Sequence, residues 1–417
     1  MLRFVILAFA IKISSSSSLK TVEDISKNKT LGEYSLDKGW PHKNVSDLQV
    51  FGSSVTIDNS GNIVLLHRGF QGGSKPRNSI IHENTVAIID KNTGKILREW
   101  GSNKFLKPHG LFINKDGDLF ITDTVMHQIF KFDWDNSTKQ WNNESSLVIG
   151  EPFVAGYGHY RFCSPADIVE DPETGNFFVA DGYCHSRVVK FDKNGKYLLE
   201  FGAGSSDLSI PPIPFNVTHA LALAKRTSTN STHGEIEQPQ TILLVVDRDS
   251  ARIQIFDLNG TFLYEIGASD LGSEHAMILS VATVTAKNFE FGQAFIIKGH
   301  VPVGEAKMVI VGLQAKNFTI ISSHPIMKQK APTPKLNVTS PKDVKLSMPH
   351  DIATKNGKEI YIVEAINDLT LQRYVWADAK SIAKQHVGKS SSVMTRCPKT
   401  LLTVINLIIM TIHTAIM

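Results

Sequence analysis

An all-β chain folded as a six-bladed propeller is what three features of this 417-residue sequence predict. Four segments share one form: a short apolar run, an acid, then an aromatic residue nine or ten positions later. A second short motif stands ahead of each unit, and its copies are spaced by 57, 53 and 131 residues. Asp-Gly, Thr-Gly and Asn-Gly pairs separate the runs, and such pairs between apolar stretches mark hairpin turns. Antiparallel units of roughly 40–60 residues joined this way are propeller blades. A β-sandwich followed by a second β-domain is the rival arrangement, and the regular spacing disfavours it.

Taken in order, the first unit departs slightly. In IVLLHRG (63–69), His67 stands where the others carry an acid. The next units are LFITDTVMHQIFKF (119–132), FFVADGYCHSRVVKF (177–191), LLVVDRDSARIQIF (243–256) and IYIVEAINDLTLQRY (360–374). Ahead of them stand KPHGLFI (107–113), SPADIVE (164–170), VTHALAL (217–223) and MPHDIAT (348–354). The last spacing is about twice the others, so a hidden unit is expected near 275–325, making six. The propeller is expected over 46–380. A signal peptide (1–19) and a linker (20–45) precede it, and a second linker (381–400) and an apolar tail (401–417) follow.

Apolar residues make up 42% of the chain, enough for a sizeable core, and the net charge of +4 carries no basic block. Nothing here argues for nucleic acid or an anionic membrane surface as partner. The start, MLRFVILAFAIKISSSSS, has the basic, apolar and small-residue order of a signal peptide. Nine Asn-x-Ser/Thr sequons follow, at Asn28, Asn44, Asn136, Asn143, Asn216, Asn230, Asn259, Asn317 and Asn337. Their excess points to the secretory pathway, with the product secreted or held at the lumenal or extracellular membrane face. The tail LLTVINLIIMTIHTAIM has no charged residue and reads as a lipid-anchor signal, a single span or a sticky helix. A secretory route permits disulfides. Cys163 and Cys184 fall in one unit and are expected to bridge; Cys397 has no assigned partner.

The innermost strand of a blade starts on the face to which the second strand returns. The start residues Val55, His109, His219 and His350 and the end residues Arg68, Tyr183 and Arg248 should therefore meet at one mouth of the channel. Three histidines at one register make a three-imidazole metal site with a position left for water or substrate. Ligand type favours zinc. One such histidine would be an ordinary polar turn residue; the repetition argues for more. Asp351 should face away from His350, toward a second ion, calcium, with the carbonyls of Val55 and Leu111 adding oxygen ligands. A bond from Asp351 to a neighbouring strand end is the plainer account. A Cys163–Cys184 bridge would hold the loop of Tyr183. Arg68 in the same mouth would lower the phenol's pKa and hold a carboxylate. Simple packing for the tyrosine and a surface salt bridge for the arginine are the plainer alternatives.

HRG (67–69), KPHGL (107–111), FCSPADI (162–168), DGYCHSRVVKF (181–191), DRDSARIQIF (247–256) and MPHDI (348–352), in this order, resemble the peptidyl-α-hydroxyglycine α-amidating lyase family. The resemblance runs from about residue 50 to 376. It implies a six-bladed propeller of NHL-like repeats that cleaves peptidyl-α-hydroxyglycine to an amidated peptide and glyoxylate, the second step of neuropeptide and hormone amidation. It implies zinc on His109, His219 and His350, and structural calcium on Asp351 and the carbonyls of Val55 and Leu111. It assigns catalysis to Arg68 and Tyr183, with Met348 as the active-site methionine. The chain departs from the mammalian-type pattern at Leu244 and Ile255, where that pattern has a second disulfide, and at Glu364, where aspartate is usual. No copper-monooxygenase half is seen, so the hydroxylated substrate is expected from a separate monooxygenase. Two other functions compete. A calcium-dependent propeller lactonase or esterase would need acids and Asn at the mouth in place of histidines. A non-enzymatic propeller that binds partners on its top face has no need of the histidine register.

Overall fold

The computed structural model describes residues 33–41, 50–69, 79–202, 214–227, 239–272, 276–299, 306–326, 348–365 and 371–377. These form six four-stranded antiparallel sheets whose innermost strands touch in a closed cycle, so the chain is a six-bladed propeller. The innermost strands are Gly52–Ile57, Pro108–Ile113, Pro165–Glu170, Thr218–Lys225, Met277–Val284 and Pro349–Thr354. The fifth of them opens the unit that the sequence hides. The second blade carries an extra hairpin, Trp134–Asp135 with Gln140–Trp141.

The core follows from the period of two along each strand. In the second strand of the fourth blade, Leu243 and Val245 pack toward the third blade, and Ile242, Leu244 and Val246 toward the fifth. Both faces are covered, so such strands read as unbroken apolar runs. The described residues form six apolar clusters, one for each seam between neighbouring blades. Leu244 and Ile255 are direct cross-strand partners, both fully buried. An apolar pair thus fills the place where the mammalian-type pattern has its second disulfide.

The repeated acid has a structural task. Asp123 accepts the N–H groups of Leu106 and Lys107 at 2.8 and 2.9 Å. Asp247 accepts those of Asn216 and Val217 at 2.9 and 3.0 Å, Asp181 that of Cys163 at 2.8 Å, and Glu364 that of Met348 at 3.1 Å. In each case the acid ends the second strand and ties down the chain that leads into the first. His67 holds this position in the first blade and Gly299 in the fifth, opposite Gly52 and Met277.

One boundary needs correction. The segment 20–45, read as a linker, contains the strand Glu33–Leu36, which pairs antiparallel with Leu371–Ala377 as the outermost strand of the sixth blade. The propeller therefore begins before residue 46. A short strand of alternating exposure, EYSL, carries too little apolar signal to stand out. Among the described residues no helix is long and apolar enough to cross a membrane. The expected signal peptide and apolar tail, Cys397, and the sequons at Asn28, Asn44, Asn230 and Asn337 lie outside the described residues. Asn136, Asn143, Asn216, Asn259 and Asn317 are all exposed.

Candidate active site

Each innermost strand opens with an irregularity in its pairing. At that irregularity stand Ser53, His109, Ala166, His219, Leu279 and His350. Val55 is thus not the first blade's counterpart of the histidines; Ser53 is, two residues earlier. The histidines occupy alternate blades, and the blades between them contribute main-chain carbonyls. His109 Nδ1 lies 2.8 Å from Ala166 O, His219 Nδ1 2.8 Å from Leu279 O, and His350 Nδ1 2.5 Å from Ser53 O. A carbonyl only accepts, so each Nδ1 carries the proton and each Nε2 keeps a lone pair.

The three rings converge, with centroids 4.7–5.2 Å apart and one potential ligand nitrogen from each within 4.8 Å of the others. Burial lowers all three pKa values, to about 3 for His219. For His109 and His350 a neighbouring histidine adds to the effect. Three neutral imidazoles facing one another, each aligned by a carbonyl, suit a divalent transition metal. Gly110 makes the first alignment geometrically accessible. A β-carbon there would stand 2.6 Å from Ala166 O and 2.7 Å from Asp167 Cα.

Tyr183 leans over this ring. Its hydroxyl lies 2.7 Å from His109 Nε2 and 3.1 Å from His219 Nε2. Arg248 Nη1 donates to the same oxygen at 3.3 Å, and its guanidinium lies 5.1 Å from the ring centroid. Asp249 fixes Arg248 from the next position at 2.7 Å. Arg68 is half-buried and held by two acceptors, Pro108 O at 3.0 Å and Ser53 Oγ at 2.9 Å. Burial raises the phenol's pKa, and Arg248 and then Arg68 counter it without prevailing. Arg68 lowers the phenol's pKa as expected, Arg248 adds to it, and desolvation outweighs the two. Cys163 and Cys184 are joined by a disulfide that flanks Tyr183, with Cα atoms 5.4 Å apart. Met348 adjoins the cluster through Pro349, half-buried.

Below the histidines the next ring holds Ser54, Gly110, Asp167, Ala220, Ser280 and Asp351. About 10 Å³ separates the two rings, room for about one water-sized occupant. Asp351 accepts from Ser280 Oγ (2.6 Å), Ile352 N (2.8 Å), Ser54 Oγ (2.5 Å) and Val55 N (2.9 Å). The plainer account of Asp351, a bond to a neighbouring strand, is thus present through the Val55 N–H. Asp167 accepts from Leu221 N at 2.8 Å. Burial raises both acids, and Asp351 raises Asp167 further. Among the described residues neither has a lysine or arginine against it. Val55, Leu111, Asp167 and Asp351 line one cavity of about 450 Å³ that continues beneath the rings. Asp167 did not stand out in the sequence, because SPADIVE lacks a histidine to set its register.

An NHL repeat model matches residues 105–132, the second blade from its start through its third strand. Peptidyl-glycine alpha-amidating monooxygenase B of Xenopus laevis is 31% identical over 86% of this chain and 37% of its own length. Peptidyl-alpha-hydroxyglycine alpha-amidating lyase 1 of Drosophila melanogaster is 29% identical over 84% of this chain and 61% of its own. This chain is a relative of the amidating lyases. A second Drosophila lyase is 34% identical over 52% of this chain and 50% of its own length. The chain therefore spans between about a third and three-fifths of these relatives. A solved streptogramin B lyase structure aligns with 83% of this chain and 97% of its own, at 12% identity and TM-score 0.45.

Proposed function

We propose that the chain cleaves peptides ending in α-hydroxyglycine into a peptide amide and glyoxylate. One observation carries this reading. A tyrosine hydroxyl, three neutral imidazoles and two guanidinium groups meet at one channel mouth, in a relative of lyases named for that substrate. In the reaction the carbinol O–H loses a proton, the C–N bond breaks, its electron pair goes to nitrogen, and that nitrogen gains a proton. Arg68, pinned on two sides, grips the carboxylate that becomes glyoxylate. The Tyr183 oxygen accepts the hydroxyl proton and returns one to the departing amide nitrogen. Arg248 stabilises its phenolate form, and Met348 borders the pocket.

Zinc bound by Nε2 of His109, His219 and His350 would supply Lewis acidity at the substrate oxygen and favour ionised Tyr183. Asp351 and Asp167, with oxygens of Val55 and Leu111, are the group that would hold calcium. Two buried acids without a cationic side chain suit such an ion. Secretory processing fits the Cys163–Cys184 disulfide and the exposed sequons, and a separate monooxygenase would supply the hydroxylated peptide. The deciding assay is glyoxylate release from a peptide ending in α-hydroxyglycine. Wild-type protein should release it and chelator-treated protein should not; equal release in both would overturn the metal assignment, and none from metal-replete protein the function.

A further inference from the structure

Ser53 is fully buried and sits at the register of the histidines in the first blade. Its hydroxyl accepts Arg68 Nη2 at 2.9 Å and lies 2.9 Å from the carbonyls of both Pro108 and His109. The hydroxyl has one proton, so it donates to one of these or shares between them. Its own carbonyl accepts Nδ1 of His350 at 2.5 Å. Pro108 O also accepts Arg68 Nε at 3.0 Å. One small residue therefore touches the guanidinium, the strand start that carries His109, and the ring of His350.

The contrast with the equivalent positions is informative. Ala166 and Leu279 align His109 and His219 through carbonyls alone. Of these three acceptor residues only Ser53 has a hydroxyl, and it lies in the blade whose second strand leads into Arg68. The other arginine of the mouth, Arg248, is steadied by Asp249, an anion. A carboxylate on Arg68 would compete with the carboxylate it is meant to hold; a neutral hydroxyl steadies the fork without taking up its charge.

We propose that Ser53 is a positioning residue that sets the orientation of Arg68 toward the substrate carboxylate and joins that orientation to the histidine ring. The proposal rests on the lyase reading above. Ser53→Ala removes one partner of the guanidinium and leaves the Ser53 carbonyl, and hence the His350 bond, in place. It should raise KM for a peptide ending in α-hydroxyglycine about tenfold and lower kcat less than about threefold. Zinc content and the melting curve should stay near wild type.

Three comparisons separate this role from general support of the fold. Added to Arg68→Ala, Ser53→Ala should cost nothing further, because it acts through that arginine. With the methyl ester of the same peptide, wild type and Ser53→Ala should have equal kcat/KM. Ser53→Thr keeps the hydroxyl and should hold KM near wild type. Additive losses in the double variant, an equal penalty on the ester, or a threonine as impaired as the alanine would each overturn the role. Wild-type protein that releases no glyoxylate from the free acid would instead remove the lyase reading and this inference with it. Active wild type with additive losses removes the Ser53 role alone.

Discussion

Gly182→Ala should disable the site without emptying it. Gly182 lies where the third blade's loop presses on the backbone of the fourth. A β-carbon there would fall 1.8 Å from Thr218 O and 2.5 Å from Thr218 C and N. Such contacts are essentially never shorter than 3.0 Å, so something must retreat by roughly 1.2 Å, the difference between 3.0 and 1.8. Thr218 is fully buried and pairs with Asp247 in a central sheet. The loop is the part that yields, and Tyr183 is its next residue. Moved along its contacts by that amount, the hydroxyl would stand roughly 3.9 and 4.3 Å from the imidazole nitrogens it now meets at 2.7 and 3.1 Å, beyond hydrogen-bond range. A misplacement of about 1 Å costs on the order of 100-fold, or about 2.7 kcal/mol of transition-state stabilisation. Overpacking should also remove about 1–3 kcal/mol of stability. Steady-state glyoxylate release and metal content should be measured on the same preparations. The expected result is kcat down about 100-fold with metal content unchanged. A kcat within twofold of wild type would refute the claim that this contact sets the tyrosine's place.

Tyr183→Phe should lower kcat by about 10²–10⁴-fold with metal content unchanged; full activity would exclude the tyrosine as the proton carrier. His67 is buried with Nε2 unpaired, and burial holds its pKa at about 4 against 6.5. Between those values the unfolded chain binds a proton that the folded chain does not, so stability is complete above pH 6.5 and falls as pH drops toward 4. The loss is about 3 kcal/mol; denaturant melts across this range should show it, and His67→Asn should flatten the slope. Replacing both Cys163 and Cys184 by serine should cost about 3 kcal/mol, as loop entropy predicts for a separation of 21 residues; an unchanged urea midpoint would contradict this. Calcium added to chelated wild-type protein should raise Tm, and Asp351→Asn should abolish the increment; an equal rise in both would place the ion elsewhere.

What repeats along the chain was legible, and what breaks the repeat was not. The acids at 123, 181, 247 and 364 marked their blades because each ties down the chain that opens its own blade. The fifth blade shows no motif of its own because Gly299 stands at the acid position and Leu279 at the histidine position. Only its doubled spacing betrayed it. Spacing from a visible histidine could not reveal Ser53 or Asp167, since their blades carry none at the inward register.

The hidden blade also concealed the logic of the histidine ring. With six blades counted, the histidines fall on the second, fourth and sixth, and each finds its carbonyl on the following blade, the sixth closing onto the first. That closure holds only in a ring. A sixfold frame offers six equivalent inward positions, more than a small ion needs from side chains. Alternation uses three for imidazoles and three for the acceptors that fix the imidazole protons on Nδ1. The chain that follows Glu33–Leu36 thus bears on the chemistry as well as on stability. Trp40 is buried in the seam between the sixth and first blades, and its indole N–H reaches Asp90 O at 3.4 Å; it holds together the two blades that carry His350 and Ser53.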